Sequence, residues 1–403
     1  MTTALTTNQW DQGVTTSVPG AVAALDETLM SYLAIGRETG GLLKSVLTSD
    51  PDMVMGHCLK GYFFCLMASG PLLARLPKVL DAANKGLSGA TMREQAHVQA
   101  LTHWAGGDQR TAARVWEEIL SEHPQDVLAL RLAHHAYFYQ GDAPEMLASV
   151  ERVMGAWDEH CPGYGFVLGM RSFALEECGD YAEAEKTGRA AVEFNADDPW
   201  AIHAVAHVME MQDRHQEGID WITGLQANWN AANNFRYHLW WHRALMHLGR
   251  GDLDEALRLY DEDIWDAESD EYLDLCNDVS LLLRLELMGV NVGARWQVLA
   301  DKVAGRTSER ILPFIDCHLV AALAGGGQIP AAREMTEAMA GAGGVFASIA
   351  APVSNALIAH REGDYASTAR LLGEIRDTIV TMGGSHAQRE LFELILKDAE
   401  GRA

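Results

Sequence analysis

Apolar residues recur at helical spacing along most of this chain. Segment after segment has apolar positions three and four residues apart over 12 to 16 residues, and each segment ends at a Gly-Asp step or a proline. Alternating apolar and polar runs bounded by hairpin turns, the pattern of a half-buried strand, are not evident in the sequence. The pattern therefore predicts an all-α protein.

The turns between these segments recur at a regular interval. Gly-Asp steps begin at positions 107, 141, 179, 251 and 363, so that the first two intervals are 34 and 38 residues. Each unit is predicted to be a pair of helices, in which the glycine ends the first helix in a left-handed conformation and the aspartate caps the second. The period and the small residues of GDQRTAARVWEEILSEHP and GDYAEAEKTGRAAVEFNADDP resemble the tetratricopeptide repeat. The resemblance implies an α-solenoid, a superhelix of antiparallel helix pairs.

The repeat divides the chain into four predicted regions. Residues 1–20 are polar and rich in threonine, and we expect a tail or an N-terminal wrap. Residues 21–105 are expected to form the N-terminal helices, and residues 106–365 the repeats that carry the candidate site. Residues 366–403 are expected to close the solenoid.

Composition restricts the partners and the compartment. The chain has 31 Lys and Arg against 56 Asp and Glu, a formal charge of −25, which argues against nucleic acid and an anionic membrane surface as partners. No signal peptide and no long apolar span are evident in the sequence, and none of the six cysteines forms a CxxC pair. Reduced thiols in a cytoplasmic protein are expected, and a zinc ribbon or disulfide scaffold is not.

Histidines are the unusual residues of this sequence. In DDPWAIHAVAHVMEMQDRH, His203, His207 and Glu210 stand at i, i+4 and i+7, which places them within about 60° of one another around a helix. The first helix of the next unit has His238 and His242, again four residues apart. The first helices of successive repeats are expected to line a groove, with their helix axes roughly 8–10 Å apart. We therefore expect the five side chains to converge.

Imidazoles beside a carboxylate are ligands that suit zinc, iron or manganese. The predicted metal ligands are His203, His207 and His242, for a divalent metal such as zinc. A metal-free polar pocket and a purely structural hydrogen-bond network are the alternatives that the same residues leave open.

A more specific resemblance follows from five ordered stretches, at residues 203–221, 237–261, 273–296, 314–325 and 363–392, among them HAVAHVMEMQDRHQEGIDW and YHLWWHRALMHLGRGDLDEALRLYD. These stretches resemble the tetratricopeptide repeat protein 38 family, found in bacteria and animals, over most of the chain. The resemblance implies a tetratricopeptide-like solenoid and does not supply an activity. The polar positions of its motifs fall on His203, His207, Glu210, His238, Trp241, His242, Asp278, His318, Ser385, Gln388 and Arg389.

These residues support a first hypothesis, a small-molecule enzyme of the hydrolase type. Histidine and glutamate sets commonly activate water, and the chain has no GxSxG elbow, phosphate loop or dinucleotide fingerprint. An enclosed pocket is expected if the segment around GGSHAQR folds back over the groove. The predicted catalytic residues are His203, His207, Glu210 and His242. The predicted substrate-binding residues are Tyr237, His238, Trp241, Asp278, His318, Ser385, Gln388 and Arg389.

The second hypothesis is a scaffold that binds a peptide or protein partner in its concave groove, the commonest role of tetratricopeptide arrays. Because the chain is strongly acidic, a basic or neutral partner fits it better than an acidic one. A homo-oligomer is compatible with either hypothesis.

Overall fold

Amphipathic segments separated by tight turns fold into a succession of helices, and the computed structural model describes them over residues 4–403. The all-α prediction is confirmed apart from one short hairpin. The helices of the first half are α1 Gly20–Leu33, α2 Thr39–Ser49, α3 Val54–Leu66, α4 Gly70–Leu73, α5 Leu76–Lys85, α6 Met92–Ala105, α7 Gln109–Glu122, α8 Val127–Gln140, α9 Ala143–Val153, α10 Tyr164–Glu177, α11 Tyr181–Phe194 and α12 Pro199–Met211.

The second half continues in the same way. Its helices are α13 His215–Gly224, α14 Gln226–Trp229, α15 Phe235–Arg250, α16 Leu253–Leu259, α17 Tyr272–Leu287, α18 Arg295–Val303, α19 Pro313–Gly325, α20 Ile329–Ala342, α21 Ala351–Glu362, α22 Tyr365–Ile375 and α23 His386–Arg402. Short 3₁₀ turns lie at Leu87–Gly89, Met154–Ala156, Ala304–Arg306 and Ile379–Met382, and π-helical turns at Tyr260–Ile264 and Phe346–Ala350.

The chain forms two compact units, each with its own core. The first unit holds the chain up to Tyr137 together with Ala143–Val208 and Gly224–Arg236. The second unit holds Phe138–Asp142, Met209–Thr223 and Tyr237–Ala403.

Helices that follow one another in sequence pack as pairs in the first unit, as α1 with α2, α6 with α7 and α10 with α11. Small residues make the closest of these pairings feasible. Ala184 of α11 is fully buried, and the Ser172 hydroxyl of α10 donates to its carbonyl at 2.7 Å. A Cβ added at Gly188 would lie 2.6 Å from the Ser172 Oγ, so the position accepts only glycine without movement of its neighbours.

The second unit repeats this pairing along its length. Contacts join α19 with α20, α20 with α21, α21 with α22 and α22 with α23. The α17 helix packs on both α19 and α23, so that the last helix of the chain returns to an earlier one.

The turns of the repeat have the predicted conformation. The glycines of all five Gly-Asp steps have positive φ, between 66° and 83°, which residues with a Cβ rarely adopt. Three of the following aspartates, Asp108, Asp180 and Asp364, accept a hydrogen bond from a backbone N–H of the next helix and cap it as predicted. Asp252 makes no such bond, because its carboxylate pairs with Arg250 at 2.9 Å.

The N-terminal segment differs from the sequence-based expectation of a chain without hairpins. Strands β1 Ala4–Thr7 and β2 Gly13–Thr16 pair antiparallel, and Thr15 donates to Glu94 through both its N–H, at 2.9 Å, and its hydroxyl, at 2.7 Å. Strands of four residues are too short to show a clear alternation, and their stability comes from such tertiary bonds. The first-unit helices thus hold the segment that was predicted to be a tail or a wrap.

Two further observations concern the cysteines and the helix lengths. All six cysteines carry free thiols. Within residues 4–403, no helix combines the length and the apolar character needed to cross a bilayer.

The α10–α11 contact gives a first test of the repeat. Ala184→Trp should lower the free energy of unfolding by about 3 kcal/mol or more, because a large side chain at a fully buried position forces the two helices apart. Urea unfolding followed by circular dichroism measures the change. Lys186→Trp is the matched control on the same helix, since the Lys186 side chain is 76% exposed, and it should leave the midpoint unchanged. Equal stability of the two variants would contradict the close packing of α10 on α11.

Candidate functional site

His203 and His207 lie one turn apart on α12, in the first unit. Their ring centroids are 4.3 Å apart, and neither residue is more than 2% exposed. Phe173 of α10 stacks on His203 and meets His207 edge-on, each at 5.4 Å between ring centroids. The two imidazoles therefore form one buried stripe, as their spacing predicts.

Two carboxylates that sequence reasoning did not single out accompany this stripe. Glu176 and Glu177 end α10, and both are buried. The Glu176 Oε2 lies 3.5 Å from the His207 Nδ1. One ligand atom from each of Glu176, Glu177 and His207 falls within 4.8 Å of the others, a donor set that suits a divalent cation.

A second group of buried polar residues in the first unit surrounds Trp200. The Arg131 guanidinium lies 4.3 Å from the Trp200 ring, and the His134 ring packs edge-on against the same indole at 5.7 Å. Asp198 accepts a hydrogen bond from the Trp200 N–H at 3.0 Å at the start of α12. Burial raises the pKa of Asp198 to about 7, although the nearby Arg131 charge opposes the shift.

In the second unit, four side chains form a continuous row that we call the histidine chain. Its members, in order, are Glu210, His242, His238 and Asn277. The His242 Nδ1 lies 2.6 Å from the Glu210 Oε2, and the His238 Nδ1 lies 2.8 Å from the Asn277 Oδ1. The two Nε2 atoms of His238 and His242 face each other at 3.3 Å. Both imidazoles are buried, and the Glu210 side chain is 10% exposed. The histidine chain brings together α12, α15 and α17.

The hydrogen-bond acceptors at Nδ1 determine which nitrogen of each imidazole carries hydrogen. Carboxylate and amide oxygens accept hydrogen bonds, so His242 donates through Nδ1 to Glu210, and His238 donates through Nδ1 to Asn277. A neutral imidazole with hydrogen on Nδ1 has a lone pair on Nε2. The two Nε2 atoms then face each other at 3.3 Å, a separation at which a proton or a metal cation can lie between them.

The separation fits a metal as well as a proton. Two nitrogen ligands at 2.0–2.1 Å from a tetrahedral zinc ion are roughly 3.3–3.4 Å apart. The distance between the Nε2 atoms of His238 and His242 is 3.3 Å. Histidine ligands characteristically donate their other N–H to a carboxylate or an amide oxygen, which is the arrangement of Glu210 and Asn277.

Trp241 and Arg284 border the histidine chain. The Trp241 ring stacks on His238 at 5.1 Å with an interplanar angle of 12°. The Arg284 guanidinium lies 5.8 Å from the Trp241 ring and donates to the carbonyl of Ala387 at 2.6 Å. Burial lowers the pKa of Arg284, and the charges of Glu390 and Glu210 oppose this shift. Arg284 therefore links the histidine helix of this unit to α23.

The other predicted residues of the C-terminal segment have defined local roles. Ser385 and Gln388 form a capping box at the start of α23, with the Gln388 Oε1 accepting from the Ser385 N–H at 2.9 Å. Arg389 donates to the carbonyl of Gly384. These contacts order the segment that was predicted to bind a polar substrate group, and a substrate role for the three residues stays a prediction.

Tyr237 and Asp278 lie in different surroundings from the histidine chain. The Tyr237 hydroxyl donates to Asp266 at 2.6 Å. Burial, followed by the charge of Asp274, raises the pKa of Asp278 well above its usual range. Asp266 acts on Asp278 in the same direction, which places both predicted residues near one group of acidic side chains.

Sequence reasoning missed Glu176, Asn277 and Arg284, and the repeat period could have found two of them. Glu176 precedes Glu210 by 34 residues, and His207 precedes His242 by 35. The pairs Glu176–His207 and Glu210–His242 are therefore separated by one repeat length. Asn277 follows His242 by 35 residues. Arg284 has no such signal, because an arginine on a helix is ordinarily solvated.

Comparisons with known proteins concern the fold only. No family model matches the chain. Among solved structures, yeast Tom70 is similar with a TM-score of 0.36 and 11% identity over 88% of this chain and 91% of that one. The P58(IPK) TPR domain gives 0.23 and 12% over 76% and 89%, and a structure of Naa15/Naa10 bound to HypK-THB gives 0.31 and 13% over 89% and 58%. This chain thus spans little more than half of the matched chain in the Naa15/Naa10 complex. The tetratricopeptide-like description rests on the repeat period and the helix pairs.

His318 of α19 gives a test of the second-unit core. Its Nδ1 donates to the Phe314 carbonyl at 2.8 Å, and burial lowers its pKa from 6.5 to about 4. Between these values the unfolded chain binds a proton that the folded chain does not, so stability is present above pH 6.5 and is lost as the pH falls towards 4. Relative to His318→Gln, the wild type should lose about 2 kcal/mol between pH 7 and pH 5.

Urea unfolding at the two pH values measures this difference, because other titrating groups cancel between the two proteins. His160→Gln is the control, since the side chain of His160 is 85% exposed, and it should follow the wild type. An unchanged difference between pH 7 and pH 5 would show that His318 has an ordinary pKa.

Proposed function

We propose that this tetratricopeptide-like helical-repeat protein is a binding scaffold that holds a divalent transition metal at His238 and His242. The observation that supports the proposal most directly is the pair of Nε2 atoms 3.3 Å apart, each on an imidazole whose Nδ1 is held by an acceptor. A solenoid does not need buried imidazoles in order to stack.

The proposed reaction class is hydrolysis, as the histidine and glutamate composition led us to predict. A zinc ion would supply Lewis acidity and a bound water of lowered pKa. The contributions of the chain itself are distinct. Glu210 and Asn277 fix the orientation and the tautomer of His242 and His238. Trp241 covers one face of His238 and keeps bulk water from it.

The predicted ligands His203 and His207 belong to the first unit, and their participation in a metal site stays a proposal. Two observations support a metal in their surroundings: both imidazoles are buried, and Glu176 and Glu177 place carboxylate oxygens near His207. Metal analysis of histidine variants in each unit separately determines which histidines bind the metal.

A scaffold that binds a peptide or protein partner is the second role, and the fold itself supports it. The formal charge of −25 favours a basic or neutral partner. The four histidines are each no more than 4% exposed, so such a partner would contact other side chains. We also propose membership of the tetratricopeptide repeat protein 38 family, on the five ordered motifs of the sequence.

The metal proposal predicts the composition of the protein purified without an affinity tag. Elemental analysis should find close to one equivalent of zinc, iron or manganese per chain. His242→Gln and His238→Gln should each lose at least nine-tenths of this metal, because an amide binds a transition metal more weakly than the imidazole it replaces. His203→Ala tests the first unit in the same way.

His160→Ala is the matched control for a histidine in solvent and should keep its metal. The helical circular dichroism of every variant must match the wild type. Two results would contradict the proposal: metal absent from the wild type after growth in supplemented medium, or metal retained by both His238→Gln and His242→Gln. Loss of the helical circular dichroism in His238→Gln or His242→Gln would support a structural role for the histidines.

Glu210→Gln tests the residue that orients His242. The side chain keeps its shape but loses the charge that faces the His242 Nδ1 at 2.6 Å, and metal affinity should fall about 10- to 100-fold. Competition with a chromogenic chelator measures the affinity. Glu217→Gln is the control, because Glu217 is about half-exposed and pairs with Arg214. An equal change in both variants would show a general charge effect.

A further inference from the structure

A cavity of about 210 Å³ opens in the second unit, away from the histidine chain. Its floor is apolar and comes from Leu283 and Leu287 of α17, Leu357 of α21 and Ile395 of α23. The space exists because α19 contributes only small residues to it, at positions 321, 324 and 325. Leu283 and Leu287 are half-buried, so apolar surface faces the cavity.

Two arginines, Arg361 and Arg402, also line the cavity. Their side chains are 34% and 49% exposed, which places them on its solvent side, the mouth. Arg361 bonds to Glu286 at 2.8 Å and to the carbonyl of Gly325 at 2.8 Å. Arg402 donates to the Tyr365 hydroxyl at 2.9 Å and to Asp398, also at 2.9 Å. Both arginines line one cavity, together with Glu286, in a chain that has 31 basic residues against 56 acidic ones.

Each guanidinium keeps donors for a further partner. An arginine has five N–H groups, and the bonds above use two on Arg361 and two on Arg402. The Tyr365 hydroxyl accepts from Arg402 and can still donate its own hydrogen. Three side chains at the mouth can thus donate to one acceptor group, and planar guanidinium groups match a carboxylate particularly well.

We propose that this cavity binds a small monocarboxylate with an apolar chain. The carboxylate is held at the mouth by Arg361, Arg402 and Tyr365, and the chain covers the leucines and Ile395 of the floor. The volume lies below the usual range of about 300–1,000 Å³ for drug-sized ligands, which selects a short chain. None of the lining residues belongs to the proposed metal site, so the two proposals stand independently.

Calorimetric titration of the full chain with hexanoate tests the proposal, and 1-hexanol is the neutral analogue. Hexanoate should bind with a dissociation constant in the millimolar range or below, and hexanol at least tenfold more weakly. Arg361→Gln and Arg402→Gln should each weaken hexanoate binding about tenfold, the loss of one charge-assisted contact. Neither substitution should change the affinity for hexanol.

Two further variants separate the cavity from its rim. Ala321→Leu places a larger side chain in the floor and should abolish binding of both molecules. Arg370→Gln is the control, because Arg370 is 59% exposed, pairs with Glu374 and does not line the cavity. Equal affinity for hexanoate and hexanol, no binding of hexanoate at 20 mM, or an equal effect of Arg370→Gln would each overturn the proposal. Titrations repeated after chelator treatment keep the result independent of bound metal.

Discussion

The close approach of paired helices determines which side chains lose contact with water. In the first unit the Ser172 hydroxyl reaches the backbone of α11 at 2.7 Å, beside the fully buried Ala184 and beside Gly188, where an added Cβ would lie 2.6 Å from the Ser172 Oγ. The left-handed glycines of the turns return each helix directly along its predecessor. A helix with neighbours on several sides has little exposed surface, so its polar residues are buried along with its apolar ones. The histidines of α12 and α15 are in this position.

Burial makes each of these polar groups costly unless it has a partner. The histidine chain, from Glu210 through His242 and His238 to Asn277, meets this requirement at both Nδ1 atoms and places the two Nε2 atoms 3.3 Å apart. A half-satisfied network would destabilise the unit, so these hydrogen bonds contribute to its stability whether or not a metal is bound. The proposed metal role and a structural role differ only in what lies between the two nitrogens.

Fold class and repeat register were predictable from the sequence, because glycine, aspartate and alanine at fixed offsets have few structural alternatives. The histidine pairs were predictable for the same reason, since helical spacing alone sets their direction. The N-terminal hairpin was not, because its stability depends on Glu94, about 80 positions further along the chain. Neither was Arg284, whose burial is set by Trp241 and α23. Contacts between distant segments leave no periodic trace in a single sequence.

The shared register of the glutamate and histidine pairs has a further consequence. His134, Phe173, His207, His242 and Asn277 follow one another at intervals of 39, 34, 35 and 35 residues, close to the length of one repeat. A duplicated helix pair would have carried the same position with it each time. Its donor or aromatic character can then diverge in one copy while the backbone of every copy stays the same. Such a protein can gain or lose a ligand by a single codon change, without building a new loop.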